Sequence, residues 1–311
     1  MAGSGSASLL SWVLLLRAVV VSEALRALQS RDSEMGPTLL HWQDVSNKDV
    51  NTTGMVLTAM RAPLGGSVPI FTYDSLEDRG ISKDIQKTGS WEEDTLRILC
   101  DILRDSPGNY LDVGANLGAF SFPLLPCLKG REVYAVEAVP RNVEHLIASL
   151  RKAQYPNFTI IPNAVGSPSD PLALTMNVDT YSKGASAVAG YRPDRPTFSQ
   201  STVKRTTLDA ILAAEPGMKN LVLMKMDIEG SEGHALEGAE TLMSTFPPCF
   251  LQIELIAKYL DAAGTPIRDV LDRLNAWGYE TMFADPVVGK AFLAWQRDTK
   301  ECVRRLQERA R

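Results

Sequence analysis

The sequence predicts an α/β fold with a mostly parallel sheet, helices on both of its faces and an antiparallel pair of strands at one edge. Short apolar runs alternate with segments whose apolar residues recur at helical spacing across residues 91–277, which is typical of a parallel sheet covered on both sides. Residues 114–120 contain a glycine turn that joins an early apolar run to a helix-like segment. The last two apolar runs, residues 280–284 and 291–295, follow each other without a helical pattern between them, which predicts the antiparallel edge.

Size and charge limit the classes of protein that fit. A chain of 311 residues with 45% hydrophobic and 22% charged residues has enough apolar material for one main domain and an N-terminal extension. The net charge is −5 and basic residues cluster only in residues 303–311, interpreted as a solvated helix end, so we expect no nucleic-acid partner. The four cysteines lack metal-ligand spacing. Three of them lie in apolar segments and are interpreted as small core residues, and the cysteines leave the redox compartment open.

Residues 1–24 look like a targeting segment. An apolar run at residues 9–16 is followed by Arg17, a second apolar stretch and the small residues of Ser22-Glu23-Ala24, which favours a signal peptide. No Lys or Arg precedes the run, so a signal anchor or an amphipathic helix remains an alternative. We therefore predict the secretory pathway or secretion, with membrane-anchored and cytoplasmic locations as alternatives, and any membrane association through this segment alone. Two sequons, at Asn51 and Asn157, permit glycosylation on that route.

Residues 25–88 are weakly patterned and are interpreted as an extension or cap, with strands at 55–60 and 67–73. A helix is predicted over residues 91–104, with Ser90 as its N-cap and acidic residues in its first turn. Pro107 and Gly108 end it.

The main domain, residues 89–296, continues with alternating elements, and residues 297–311 form a charged tail. Further strands are predicted at 110–112, 132–136, 158–162, 221–226 and 250–256, and residues 172–177 are another apolar segment. Further helices are predicted at 141–153, 207–214, 235–244 and 266–277. The Ser-, Gly- and Pro-rich segment 178–199 is predicted to be a loop over the functional site.

The glycine turn lies in the sequence Y-L-D-V-G-A-N-L-G-A-F at residues 110–120. Gly114 and Gly118 permit positive φ and close approach of the backbone to a ligand. A dinucleotide site would need a glycine at Asn116 to admit a pyrophosphate, and the acidic Asp112 precedes the turn. A phosphate-free ligand with a cationic group, such as S-adenosylmethionine, fits this pattern. The alternative is a turn that only joins a strand to a helix.

Polar residues follow the next strands, where ligands bind in open α/β sheets. Glu137 ends one strand and can accept hydrogen bonds from both ribose hydroxyls, although a Glu that opens a helix is the plainer interpretation. Asn163 follows the next strand and is a candidate for the adenine edge or for a simple turn.

An acidic cluster follows the strand at 221–226 in the sequence K-M-D-I-E-G-S-E. Asp227 and Glu229 are expected at the reacting centre. Glu254, from the next strand, is an acid inside an apolar run, and because a buried acid needs a partner it is expected to face the same site. A hydrogen-bonded structural cluster is the alternative. His234 is a second candidate base, although a surface or capping role is commoner. Carboxylate oxygens suit magnesium, but no spacing compels a metal and none is assigned.

The motifs Y-L-D-V-G-A-N-L-G-A-F, Y-A-V-E-A-V-P, N-A-V-G, M-K-M-D-I-E-G-S-E-G-H-A-L-E-G-A and Q-I-E-L resemble the FkbM-type family of S-adenosylmethionine-dependent methyltransferases. The resemblance covers roughly residues 89–285. It implies a Rossmann-like class I methyltransferase fold with a seven-stranded sheet and methyl transfer to a hydroxyl of a sugar or other metabolite. By position, it implies that the cofactor contacts Asp112, Gly114, Asn116, Gly118, Glu137 and Asn163. It also implies that Asp227 and Glu229 line the reacting centre.

The predicted mechanism is direct displacement at the methyl carbon, with the enzyme aligning the acceptor and a carboxylate taking or orienting its proton. The predicted acceptor is a small molecule or glycan, and the sequence does not indicate the oligomeric state. Two alternatives stay open: a nicotinamide-dependent oxidoreductase, and a relative that binds the cofactor without turnover.

Overall fold

Thirteen strands and eleven α-helices are found in the part of the chain that the computed structural model describes, residues 36–47, 49–194, 199–281 and 291–309. The strands are β1 Met55–Arg61, β2 Ser67–Tyr73, β3 Asn109–Val113, β4 Val133–Val136, β5 Phe158–Ile161, β6 Ala164–Val165, β7 Ala173–Val178, β8 Ala187–Val188, β9 Ser199–Thr206, β10 Leu221–Met226, β11 Phe250–Glu254, β12 Tyr279–Thr281 and β13 Ala291–Gln296. The helices are α1 Trp42–Val45, α2 Ile81–Thr88, α3 Glu93–Asp105, α4 Leu125–Leu128, α5 Pro140–Ala153, α6 Leu208–Ala214, α7 Glu232–Glu237, α8 Glu240–Thr245, α9 Ala257–Ala263, α10 Ile267–Ala276 and α11 Thr299–Arg309. The predicted targeting segment, residues 1–24, lies outside the described residues, and none of the described helices has the length and apolar character needed to cross a membrane.

The central sheet has seven strands in the order β12-β13-β11-β10-β3-β4-β5. The strands from β11 to β5 are parallel, while β13 runs antiparallel to both β11 and β12. The predicted α/β fold with an antiparallel edge is therefore confirmed. Residues 282–284 of the predicted penultimate strand lie outside the described residues.

Buried side chains on the two faces of this sheet form two apolar layers. On β3, Tyr110 belongs to one layer, whereas Leu111 and Val113 belong to the other. The first layer also takes in α3 and α5, and the second takes in the helices from α6 to α10. Strands β3, β4 and β10 are buried along their whole length, which explains their continuous apolar character.

The N-terminal extension packs against the sheet domain through the hairpin β1–β2. The hydroxyl of Tyr73 donates to Asn142 Oδ1 at 2.6 Å, and the backbone N–H of Phe71 donates to Ser149 Oγ at 2.8 Å. The Tyr73 ring also lies over the His145 ring, with centroids 4.0 Å apart. The predicted strands of the extension are confirmed, and they are held by α5. A separate four-stranded sheet, in the order β6-β9-β7-β8, is formed by residues that lie between β5 and β10 in the chain.

Two helical boundaries differ from the prediction. Helix α3 begins at Glu93 with Glu92 as its N-cap in the left-handed region, at φ 42°, so the assignment of Ser90 as N-cap is wrong. The predicted helix at 235–244 is two helices, α7 and α8, that meet at Gly238. A Cβ atom on Gly238 would lie 2.3 Å from the carbonyl oxygen of Gly166, and this close packing requires the break.

The four cysteines form two disulfide bonds, Cys100–Cys127 and Cys249–Cys302. All four are buried, which confirms the interpretation of three of them as core residues, but their pairing was not predicted. The second bond attaches the C-terminal segment to the domain, and Cys302 and Leu306 of α11 are buried. Residues 303–309 of this helix are mostly exposed, as expected of a solvated helix end, with Leu306 as the buried exception.

Candidate functional site

The glycine turn after β3 brings two strand ends into contact. Gly114 has φ 85°, and a Cβ atom there would lie 2.0 Å from the carbonyl oxygen of Asp227, which follows β10. Gly118 has φ 93°, and a Cβ atom there would lie 2.3 Å from the Phe122 ring. Gly114 is therefore required by the approach of β3 to β10, and Gly118 by packing inside the domain.

A cavity of about 560 Å³ opens at the carboxyl ends of the central strands. Six predicted site residues line it: Gly114, Asn116, Glu137, Asn163, Asp227 and Glu229. Much of the remaining wall is apolar and includes Val136, Val139, Val165, Met176 and Val188. Asp112 and Gly118, also predicted to contact the cofactor, do not line this cavity. We name this space the first cavity.

Glu137 closes one side of the first cavity and is held by the glycine turn. Its Oε2 atom accepts the backbone N–H of Asn116 at 2.7 Å, and its Oε1 atom accepts the N–H of Val139 at 2.7 Å. Burial raises the pKa of the Glu137 carboxyl, while these two N–H groups act in the opposite direction. The carboxylate is thereby fixed in orientation at the place where the prediction puts the ribose hydroxyls.

Asn163 lines the first cavity, but its side chain also joins distant segments. Its Oδ1 atom accepts the backbone N–H of Thr38 at 2.8 Å, and its Nδ2 atom donates to the carbonyl of Lys204 at 3.3 Å. The side chain therefore connects the extension to β9. Its role toward the adenine edge stays a prediction.

Asp112 is fully buried behind the turn and acts on the site through a lysine. Its Oδ2 atom accepts from the Ser121 hydroxyl at 2.6 Å, and its Oδ1 atom lies 3.4 Å from Lys225 Nζ. Lys225 also lies 3.7 Å from Asp227 Oδ2 and donates to the Gly114 carbonyl at 3.2 Å. Burial works to lower the pKa of Lys225, but the carboxylates of Asp112 and Asp227 raise it overall. The reasoning from sequence assigned no role to Lys225, although a lysine inside an apolar strand was the available signal.

A second cavity of about 920 Å³ adjoins the first. Both cavities are lined by Gly114, Asn116, Gly184, Asp227 and Glu229. The other polar and aromatic residues of the second cavity include Trp91, Glu92, Phe120, Ser182, Arg192, Lys225 and Glu254. The two spaces therefore meet at the turn after β3 and at the two carboxylates after β10.

Three residues of the second cavity have left-handed backbone although none is glycine. They are Glu92 with φ 42°, Asn116 with φ 52° and Glu229 with φ 56°. Asparagine tolerates this region, whereas glutamate seldom occupies it. Strained residues of this kind concentrate at functional sites, where the surrounding structure enforces them. Glu92 was not predicted from the sequence, because a glutamate gives no indication that its backbone has a positive φ.

The carboxylates at the junction carry different charges. Burial, followed by the negative charges of Asp227 and Glu229, raises the pKa of Glu254 to about 8, so Glu254 holds a proton at neutral pH. Glu229 forms an ion pair with Arg192, with Oε2 and Nη1 2.8 Å apart. One oxygen from each of Asp227, Glu229 and Glu254 lies within 4.8 Å of the others. We assign no metal to this group, in which Arg192 pairs with Glu229 and Lys225 lies beside Asp227.

Two other residues that follow β10, Glu232 and His234, have structural contacts. Glu232 accepts the backbone N–H groups of Ile228 at 2.9 Å and Gly230 at 3.0 Å, so it shapes the loop. His234 lies 3.0 Å from Asp170 through Nδ1, and its Nε2 atom is 2.9 Å from the Ala263 carbonyl oxygen. Neither residue lines a cavity described above. The contacts of His234 fit the plainer structural interpretation.

The predicted loop over the site contributes to both cavities. Lys183, Gly184 and Ser186 line the first, and Ser182, Gly184 and Arg192 line the second. This segment contains the short strand β8 and a 3-10 turn at Lys183–Ala185, while residues 195–198 lie outside the described part. Arg192 was not foreseen, because it approaches Glu229 only in the folded chain.

The family model described as the Methyltransferase FkbM domain matches residues 112–281, which is more than half of the chain. The chain belongs to the FkbM methyltransferase family. This confirms the resemblance drawn from the motifs, and the cofactor of this methyltransferase is S-adenosylmethionine. The nicotinamide-dependent alternative is accordingly not supported. A search of the curated proteins found no match.

Among solved structures, the chain is similar to a precorrin-6y C5,15-methyltransferase from Geobacter metallireducens, with 13% identity, 66% of this chain and 88% of the other covered, and a TM-score of 0.38. It is also similar to an rRNA methylase from Streptococcus thermophilus, with 11% identity, 64% of this chain and 93% of the other covered, and a TM-score of 0.36. The similarity to M. jannaschii TYW2 in complex with AdoMet has 12% identity, covers 78% of this chain and 85% of the other, and gives a TM-score of 0.35. Several related structures are named for action on RNA. Similarity at this level decides nothing about the acceptor of this chain, and the expected absence of a nucleic-acid partner stays a prediction.

The first cavity fits the cofactor of the family. It combines the fixed carboxylate of Glu137 with an apolar wall suited to a flat base. Asp227 and Glu229 at its far end supply negative charge for an ammonium or sulfonium group. S-adenosylmethionine supplies an activated methyl group when it is bound.

The raised pKa of Glu254 predicts a pH-dependent stability. The folded protein keeps on Glu254 a proton that the unfolded chain releases near its ordinary pKa of about 4.3, and the folded pKa is about 8. The folded state therefore binds more protons between these values, so the free energy of unfolding falls as the pH rises through this window. Between pH values of about 6 and 8.5 we expect Glu254 to account for a loss on the order of 2 kcal/mol, measured by urea unfolding. Burial also raises the pKa of Glu232 to about 8, so Glu254→Gln should lower the pH slope without removing it, and equal pH slopes in the two proteins would contradict the assignment.

Proposed function

We propose that this protein transfers a methyl group from S-adenosylmethionine to a hydroxyl of a sugar or other small polar metabolite. The observation that carries the proposal is the junction of the two cavities at Asp227 and Glu229. An acceptor in the second cavity would meet a cofactor in the first beside these carboxylates. The lining of this cavity comes from several separate segments of the chain, which encloses a small molecule better than it fits a macromolecular surface.

In this proposal Asp227 takes the proton of the acceptor hydroxyl as the bond from oxygen to the methyl carbon forms and the bond from that carbon to sulfur breaks. Asp227 is the suitable base, because Glu254 already holds a proton and Glu229 is paired with Arg192. Lys225 lies 3.7 Å from Asp227 Oδ2 and keeps that carboxylate oriented. Positioning of the acceptor contributes the remaining rate acceleration, since good alignment of the reacting groups lowers the activation barrier by up to about 7–11 kcal/mol in ideal cases.

The test is methyl transfer from S-adenosylmethionine labelled in the methyl group to separate pools of free sugars, small polar metabolites, glycans, RNA and protein. We expect label in a small-molecule or glycan pool, as an ether that survives mild base. Label confined to RNA or protein would overturn the proposed acceptor class. Cofactor binding measured by calorimetry without any transfer would instead support the non-catalytic alternative.

Part of the proposed acceptor wall comes from residues on the N-terminal side of the stretch that the family model matches. Trp91 and Glu92 line the second cavity but precede the residues that the family model matches. Desolvation, and then the charge of Asp227, raises the pKa of Glu92, which fits a carboxylate that shares the cavity with Asp227. We infer that Trp91 offers an apolar face and Glu92 a hydrogen-bond acceptor to the bound acceptor.

Glu92→Gln is therefore expected to raise KM for the acceptor about tenfold or more, because a hydrogen bond to a charged group contributes about 1.5–3 kcal/mol. The dissociation constant of S-adenosylmethionine, measured by calorimetry, should stay within about twofold. Glu93→Gln is the matched control, because Glu93 lines neither cavity and pairs with Arg61 and Arg97 on the surface. Equal effects of the two substitutions on KM would remove Glu92 from the acceptor site.

A further inference from the structure

The turn that precedes β1 exposes one of the two sequons. Asn51, Thr52 and Thr53 are all exposed. The Asn51 Oδ1 atom accepts the backbone N–H of Thr53 at 3.0 Å, and within the described residues the Asn51 amide nitrogen makes no hydrogen bond. This nitrogen is the atom that an N-linked glycan would use.

The backbone of this turn is fixed to the domain while its side chains face solvent. Arg141 on α5 donates through Nη2 to the Thr53 carbonyl at 2.8 Å and through Nη1 to the Asn51 carbonyl at 3.3 Å. A glycan on Asn51 would therefore disturb no contact that holds the turn. Asn51 lines neither the first nor the second cavity, so the glycan would leave both open.

The disulfide bonds independently indicate the compartment in which the chain folds. All four cysteines of the sequence are paired, as Cys100–Cys127 and Cys249–Cys302. Disulfide bonds form and persist in oxidising compartments and are rare in the cytosol. A chain that forms both bonds on the secretory route meets the enzymes that glycosylate sequons.

We propose that Asn51 carries an N-linked glycan, attached while the chain passes through the secretory pathway. The donor class is an oligosaccharide linked to a lipid diphosphate, supplied by the cell. The bond from the anomeric carbon to the diphosphate oxygen breaks, a bond from that carbon to Asn51 Nδ2 forms, and the proton lost from this nitrogen is balanced by the released lipid diphosphate. The modification does not depend on methyl transfer.

The second sequon offers an internal comparison. Asn157 Nδ2 donates to the Gly130 carbonyl at 2.5 Å, and the other two sequon residues, Phe158 and Thr159, are buried. The Thr159 hydroxyl lies 3.2 Å from His41 Nδ1. The side chains of this sequon are thus part of the fold, whereas those of the first sequon are free of it within the described residues.

The test expresses the full chain in cultured eukaryotic cells and maps its peptides by mass spectrometry, before and after an amidase that removes N-glycans in ¹⁸O water. We expect the peptide with Asn51 to carry a glycan and to gain one ¹⁸O-labelled aspartate after digestion. Asn51→Gln and Thr53→Ala should each remove one glycan from the intact mass, and Asn157→Gln should leave the Asn51 glycan in place. An unmodified Asn51 in wild-type protein overturns the proposal, whether or not Asn157 is modified. Both disulfide bonds and calorimetric binding of S-adenosylmethionine in the Asn51→Gln protein show that the variant is folded.

Discussion

Asp227→Asn is expected to reduce the rate of methyl transfer by about 10²–10⁴-fold, the range that a positioned general base contributes. Asparagine keeps the size of the side chain but cannot take the proton of the acceptor. It also leaves the ammonium of Lys225, 3.7 Å away in the wild type, with Asp112 as its remaining carboxylate neighbour. The measurement is single-turnover transfer of a labelled methyl group at saturating cofactor.

The control for this variant separates chemistry from binding. Calorimetry should give a dissociation constant for S-adenosylmethionine within about fivefold of the wild-type value, because Glu137 and the turn at Gly114 are unchanged. Asp261→Asn removes a carboxylate from an exposed position on α9 and should leave the rate unaltered. Wild-type rates in the Asp227→Asn protein would show that Asp227 is not the base.

Gly114→Ala is expected to destabilise the protein by about 3 kcal/mol or more and to abolish detectable transfer. A left-handed alanine costs about 1–2 kcal/mol, and forcing extra volume into a packed site costs about 1–3 kcal/mol more. The second cost arises because the new Cβ would lie 2.0 Å from the Asp227 carbonyl oxygen, so the loop that carries Asp227 has to move. Urea unfolding measures the stability and labelled transfer measures the activity.

Gly130→Ala is the matched control for the glycine substitution. Gly130 has φ 84°, close to that of Gly114, but nothing lies within 4 Å of the position a Cβ would take. Only the backbone cost of about 1–2 kcal/mol applies there, and transfer should stay near the wild-type rate. If the two substitutions destabilise the protein equally, contact between β3 and β10 is not the reason for Gly114.

Local patterns in the sequence were sufficient for the sheet and for much of the first cavity. Continuous apolar runs predicted β3, β4 and β10, because a strand that is buried on both faces of the sheet carries apolar side chains at successive positions. Glu137, Asp227 and Glu229 were found because acids at the ends of such strands have no role in the core. The same reasoning failed for Ser90, since the chain turns at Glu92 through a left-handed conformation that the sequence does not signal.

The second cavity depends on contacts between residues far apart in the chain. Glu92 and Asp227 come from different segments, and Arg192 reaches Glu229 from a loop between two strands. The cysteines show the same limit, because Cys249 and Cys302 are 53 residues apart and no local pattern links them. The placement of Asp112 beside Lys225, away from the first cavity, likewise depends on the pairing of β3 with β10, in which these two residues are register partners.

The sequence by itself determined the fold class, the family, the cofactor and the residues at the strand ends, because these follow from periodicity and short motifs along one stretch of chain. The tertiary structure alone decided which carboxylate holds a proton, which cations compensate the others, how the cysteines pair and where the second cavity lies. Those properties depend on burial and on distances across the sheet. Neither quantity is present in a sequence until the chain has folded.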